Sequence, residues 1–165
     1  SYAVLIAEQL FVSGCELLIS ITSAGIISDL PLDKRFILIT EAIRDEGTSY
    51  HYIPKNELSV ISPYLLQKLK DNQGLWTESK SWTTDAPYRE TRTAINEMKA
   101  KDVSCVEMES SALYAFAKAK RKDVICFAHL TNTMAQKKGD FEKGEDFGGV
   151  NTLKIIESIV KIFGR

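Results

Sequence analysis

The chain reads as an α/β protein of three layers, helix, sheet and helix, around a central mixed, largely parallel sheet. Three observations predict it. Short, mainly apolar runs, Leu17–Ile21, Phe36–Ala42 and Val124–Leu130, have the length and composition of strands buried on both faces. Segments with apolar residues at helical spacing alternate with these runs, the order expected of βαβ-type units. Several runs end on small polar residues (Thr22 and Ser23, Thr84 and Asp85, Thr131 and Asn132), and ligands in such sheets gather beyond the carboxyl ends of strands.

The elements follow in order. Ala3, Ile6, Ala7 and Leu10 form one helical stripe between Tyr2 and Phe11, and Gly14 stands where that helix can end. Leu17–Ile21 then predicts a strand closing in a polar turn at Thr22, Ser23, Ala24 and Gly25. After the second strand, the mixed segment IRDEGTSYHY predicts an edge or surface loop facing a neighbouring subunit. Ser62 and Pro63 make a helix entrance, cap then first-turn proline, for a helix over Tyr64–Leu69 that stops near Gly74. Leu75–Thr84 alternates as a strand, Asp85, Ala86 and Pro87 break it, and a helix is expected from about Glu90 to Lys99. A helix is expected within the run from Cys105 to Ala117, and Val150–Phe163 is a terminal amphipathic helix. QKKGDFEKGEDFGG between the last strand and that helix reads as a solvent-facing loop or frayed helix.

Composition narrows the function classes. The 165 residues are 44% hydrophobic and show no compositional break, so one domain with one substantial core is expected. Lys and Arg total 21 against 22 Asp and Glu, which argues against an electrostatic grip on nucleic acid. Cys15, Cys105 and Cys126 sit in apolar runs without disulfide or zinc spacing, and neither His51 nor His129 has a metal-binding cluster beside it. A cytoplasmic protein with no metal and no membrane partner is the expectation.

The stretch CVEMESSALYAFA, from Cys105 to Ala117, is the most informative. Glu107 and Glu109 lie two residues apart and cannot share a face of a regular helix, so both serve one ligand only where the backbone is irregular. Two readings stand: the glutamates cap a helix start, or they hold the vicinal hydroxyls of a ribose with Met108 lining the sugar. The second suits an electron-poor, oxocarbenium-like sugar at a breaking glycosidic bond. Ser23 with adjacent amides either cradles an anion such as phosphate or makes an ordinary polar turn. Asp85 and Asn132 either address the polar edge of a base or make Asx turns. His129 reads as a core histidine and His51 as part of an aromatic edge. The cysteines read as small core residues.

Together CVEMESSALYAFA, ITSAG, AIRDEGTSYHY and TTDAPYRET resemble the nucleoside phosphorylase family, which includes purine nucleoside phosphorylases, uridine phosphorylases and related nucleosidases. The resemblance spans most of the chain. It implies a phosphorylase-like fold, ribose contacts from Glu107, Met108 and Glu109, a phosphate contact from Ser23, and a catalytic Asn132 beside the departing base. It places part of the base pocket around Pro87, Tyr88 and Arg89, so that Asp85, Tyr88 and Arg89 together are the expected base contacts. Uridine-specific members usually carry an arginine where this sequence has Thr133, so no pyrimidine preference is implied. The implied reaction is phosphorolysis of purine or broad-range nucleosides, with phosphate as co-substrate and no other cofactor, in a homo-oligomer. Hydrolysis without phosphate and a non-catalytic nucleoside-binding subunit are the rivals. Family members have further strands before the equivalent of Tyr2, with a glycine-rich phosphate loop and an arginine, which suggests N-terminal truncation.

Overall fold

The structure is a computed structural model that describes residues 1–28, 35–70, 75–132 and 149–164. The expected helix end near Gly74, Thr133 and most of the polar stretch before the last helix lie outside the described residues.

Eleven elements are described: α1 (Tyr2–Val12), β1 (Leu17–Ile26), β2 (Phe36–Asp45), β3 (Ser59–Val60), α2 (Pro63–Leu69), β4 (Thr77–Thr84), α3 (Arg92–Lys99), β5 (Val103–Glu107), α4 (Ser110–Lys120), β6 (Asp123–Asn132) and α5 (Gly149–Phe163). Gly14 ends α1 at a φ of +99°, a conformation that costs glycine little. Thr91 caps α3 by accepting from the Ala94 amide, and Pro63 opens α2.

The strands lie in the order β3-β2-β4-β5-β1-β6, and β6 then returns to pair with β2. The pairs β1–β6, β2–β4 and β4–β5 are parallel, while β1–β5, β2–β3 and β2–β6 are antiparallel. The expected α/β class and mixed sheet are present. The expected simple, largely parallel central layer is not, because the sheet closes into a small barrel. Closure is possible because one edge of β2 is shared: Phe36–Leu38 pair with β6, and Glu41 and Ala42 pair with β3. A twisted sheet that meets its own edge leaves fewer unpaired backbone groups exposed.

Two boundaries differ from the sequence reading in ways that matter for the site. β1 does not turn at Thr22 but runs on to Ile26, since Gly25 and Ile26 find partners in Val106 and Cys105 of β5. Cys105 and Glu107 therefore belong to a strand, not a helix, and α4 starts only at Ser110. Long-range ladder bonds outweigh local turn and helix preference here.

The main core joins α1, α4 and α5 to the sheet through residues such as Phe11, Ile37, Leu113, Phe116, Phe127 and Ile159. A smaller cluster packs Met98 of α3 against Trp82, Val103 and Val106. Helix α4 is buried continuously from Ser110 to Phe116, and Tyr114 bridges two strands by donating to the Ile39 carbonyl at 2.6 Å and accepting from the Cys126 amide at 3.0 Å. That burial holds the start of α4 firmly against the strand ends.

Candidate active site

Glu107 is the last residue of β5 and lies beside Thr83 of β4 in register. Side chains two apart on a strand share a face, so Ser81 and Thr83 both point at it. Ser81 donates to Glu107 Oε1 at 3.0 Å and Thr83 at 2.5 Å, while the amides of Glu109 and Ser110 donate to Oε2 at 2.8 Å each. The side chain is 3% exposed and both oxygens are engaged by the protein. Burial pushes its carboxyl above the usual range, and the hydrogen bonds from Thr83, Glu109 and Ser110 oppose that without cancelling it.

The ribose contact expected of Glu107 finds no open acceptor, and its geometry is that of the helix cap. With Glu107 on the first amides of α4 and Thr83 Oγ1 accepting from the Ser111 amide at 3.0 Å, that helix start has little left for an anion. The expected irregular backbone is present between β5 and α4: Glu109 has φ −126° and ψ −40°, outside the helix. This break sends the two carboxylates to different environments.

Glu109 is half-buried, and one oxygen, Oε2, accepts from Thr22 Oγ1 at 2.9 Å and from the Met108 amide at 3.2 Å. Among the described residues Oε1 accepts no hydrogen bond. Met108 beside it is 42% exposed, unusual for a thioether in a protein with room to bury it. An exposed thioether and a half-buried carboxylate with one oxygen not engaged by any described residue thus stand next to each other in the chain.

Gly25 joins this junction to the other strand ends, since it pairs with Val106 of β5 on one side and Asn132 of β6 on the other. A register shift between Ala24 and Gly25 marks a local irregularity there. Asn132 is half-buried at the end of β6, its amide donating to Thr131 Oγ1 at 3.4 Å. Ser23 is exposed on β1, opposite His129. The strand order therefore puts Ser23 inside β1, between the end of β6 with Asn132 and the end of β5 that leads into Met108 and Glu109.

Among the described residues no hydrogen bond ties Asp85, Tyr88 or Arg89 to that group. Asp85 is exposed, and its Oδ2 accepts from the Gly47 amide at 3.2 Å. Tyr88 and Arg89 occupy a single 3-10 turn, Pro87–Arg89, and stand in solvent. His129 is buried and stacked on Phe36 at 4.5 Å, a core histidine, and His51 is exposed in the 3-10 turn Ser49–His51. Cys105 and Cys126 are buried, with thiols pushed up by burial and therefore poor nucleophiles at neutral pH. Among the described residues no three metal-ligating side chains cluster, and no helix is long and apolar enough to cross a membrane.

A sequence profile described as the Phosphorylase superfamily matches residues 1–161. The chain belongs to that superfamily. Solved structures agree on the fold. Purine nucleoside phosphorylase from Toxoplasma gondii, in complex with immucillin-H, is 17% identical with a TM-score of 0.76, covering 95% of this chain and 66% of its own. AMP nucleosidase from Bacteroides thetaiotaomicron is 20% identical with a TM-score of 0.68, covering 94% and 69%. A P. knowlesi homologue of the P. falciparum purine nucleoside phosphorylase is 15% identical with a TM-score of 0.73, covering 96% and 68%. This superfamily chain thus spans about two thirds of the length of those structures. No curated protein sequence matches it closely enough to count as a relative.

Sequence reasoning missed Thr22, Ser81 and Thr83. The alternation of hydroxyl residues at 81 and 83 was a usable signal, because a buried strand rarely carries polar groups on one face without a partner for them. Thr22 stood among the polar residues after the first apolar run, but nothing local pointed to its partner, which lies 87 residues away.

Proposed function

We propose that the protein cleaves the N-glycosidic bond of purine or broad-range nucleosides by phosphorolysis, releasing free base and ribose 1-phosphate. The observation that carries this reading is an exposed Met108 followed by Glu109, whose Oε1 accepts no hydrogen bond among the described residues, at the β5–α4 junction, with Ser23 on the adjacent strand β1 and Asn132 on the next strand, β6. Membership of the superfamily supports glycosidic-bond cleavage as the class of reaction.

In this reading Glu109 accepts hydrogen bonds from the vicinal ribose hydroxyls, and Met108 lies against the sugar. As the bond from the anomeric carbon to the base breaks, its electron pair leaves with the base nitrogen and the sugar becomes cation-like. The nearby carboxylate charge and polarizable sulfur favour that state. The Asn132 amide donates to the base as negative charge grows there, and Ser23 donates to the phosphate whose oxygen forms the new bond. Tyr88 and Arg89 would meet the base from the exposed turn, while Asp85 fastens that turn to Gly47. Glu107 acts beneath the site as the scaffold of the junction.

Base release from inosine, adenosine and uridine by the full-length protein, with and without phosphate, tests the reading. Phosphate-dependent purine release that Glu109→Ala abolishes supports it. Equal rates without phosphate would identify a hydrolase, and no release from any of the three would end the proposal.

A further inference from the structure

We propose that Thr22 is a positioning residue for this reaction, holding the Glu109 carboxylate in the orientation that presents Oε1 to the pentose hydroxyls. The inference rests on the function proposed above and assigns a role to a residue one position before the phosphate-contacting Ser23.

A glutamate at an irregular junction has several rotamers to choose from, and one that must meet two hydroxyls gains from being fixed beforehand. Glu109 is such a residue, at the non-helical cap position before α4. Both of its recorded anchors fall on the same oxygen: Thr22 Oγ1 at 2.9 Å and the Met108 amide at 3.2 Å both donate to Oε2. Oε1 is left without a hydrogen bond from any described residue.

Of these two anchors, the Met108 amide is local and moves with the junction, whereas Thr22 comes from another part of the chain. Thr22 sits within β1, in register with Ala128 of β6, and β1 is hydrogen-bonded to β6 along nine residue pairs from Leu17 to Gly25. Its β-branched side chain has restricted rotation about χ1. The alternative acceptor for its hydroxyl, the Ser23 carbonyl, is 3.4 Å away, so the proton goes to the nearer, charged oxygen. A rigid strand thus fixes a side chain on an irregular turn.

The test compares Thr22→Val, Thr22→Ser and Glu109→Ala in the full-length protein, using a ribonucleoside that the unmodified enzyme cleaves and its dideoxy analogue lacking both sugar hydroxyls. Thr22→Val should lower kcat/KM for the ribonucleoside by about tenfold or more while changing the analogue little, and Thr22→Ser should restore most of the loss. Melting temperatures of the three variants exclude a folding defect. An equal loss on both substrates, or no loss, with Glu109→Ala still inactive on the ribonucleoside, would overturn the role of Thr22 and leave the proposed function standing. Absence of nucleoside turnover and of nucleoside binding by calorimetry in the unmodified protein would overturn both.

Discussion

The hydroxyl of Ser111, in the first turn of α4, donates to Glu46 Oε1 at 2.7 Å across 65 residues of sequence. Glu46 also accepts from the Thr48 amide at 2.6 Å and the Ser49 amide at 3.0 Å, and the Ser111 amide in turn donates to Thr83 Oγ1 beside Glu107. The loop after β2, the end of β4 and the start of α4 are therefore joined by one buried polar network. Such networks are sensitive to the loss of a single member, because the remaining groups stay buried without partners.

Ser111→Ala should destabilise the fold by about 1–2 kcal/mol, the usual result of leaving a buried acceptor short of one donor. Urea unfolding monitored by tryptophan fluorescence checks it. Trp76 and Trp82 are both buried and report on the sheet.

The two buried glutamates should respond to pH in opposite directions. Burial raises the Glu46 carboxyl, but the hydrogen bonds from Ser49, Ser111 and Thr48 outweigh it and hold the group below its ordinary 4.5. Its stabilisation is present above that value and is lost as pH falls through the folded-state pKa. Glu107 is raised above 4.5, so its contribution is full below that value and is lost as pH rises through its folded-state pKa. Unfolding midpoints measured across the acid range should fall less steeply toward low pH in Glu46→Gln than in the unmodified protein. Glu107→Gln should show the reverse, with less decline as pH rises above 4.5.

Glu107→Ala and Glu109→Ala should separate structure from chemistry although the two residues are nearly adjacent. Removing Glu107 strips four donors of their acceptor and should cost about 3 kcal/mol of stability. Removing Glu109 should change stability by about 1 kcal/mol or less and lower kcat/KM by about a hundredfold or more. Denaturant titration and steady-state kinetics on the same two variants distinguish them. A stable Glu107→Ala or a fully active Glu109→Ala would reverse the assignment.

Arg121→Gly should stabilise the protein. Arg121 ends α4 at a φ of +53°, in the left-handed region, with the Lys122 amide donating back to the Ala117 carbonyl at 2.9 Å. Glycine adopts that conformation without the steric cost of a side chain, so a gain of about 0.5–1 kcal/mol is expected. A rise in melting temperature checks it.

Much of the site was legible in the residue order. The small polar residues after apolar runs put Asn132 at a strand end but not Ser23, which lies inside β1, and the irregular backbone that a shared role of Glu107 and Glu109 requires is present between β5 and α4. What sequence could not divide was the labour between those two glutamates. In the structure Glu107 caps the helix, while Glu109 keeps one oxygen that accepts no hydrogen bond among the described residues. The choice depends on Ser81, Thr83 and Thr22, which reach the junction only through strand pairing.

The sequence by itself determined the alternation of helices and buried strands, the stop of α1 at Gly14, the apolar length of α4 and the amphipathic α5, because periodicity and local backbone preference act within a few residues. Tertiary structure decided the closure of the sheet, the continuation of β1 through Thr22–Gly25 and the strand conformation of Cys105–Glu107. Each of these depends on backbone groups finding hydrogen-bond partners far along the chain, and on a buried carboxylate being held by whichever donors the closed barrel brings to it.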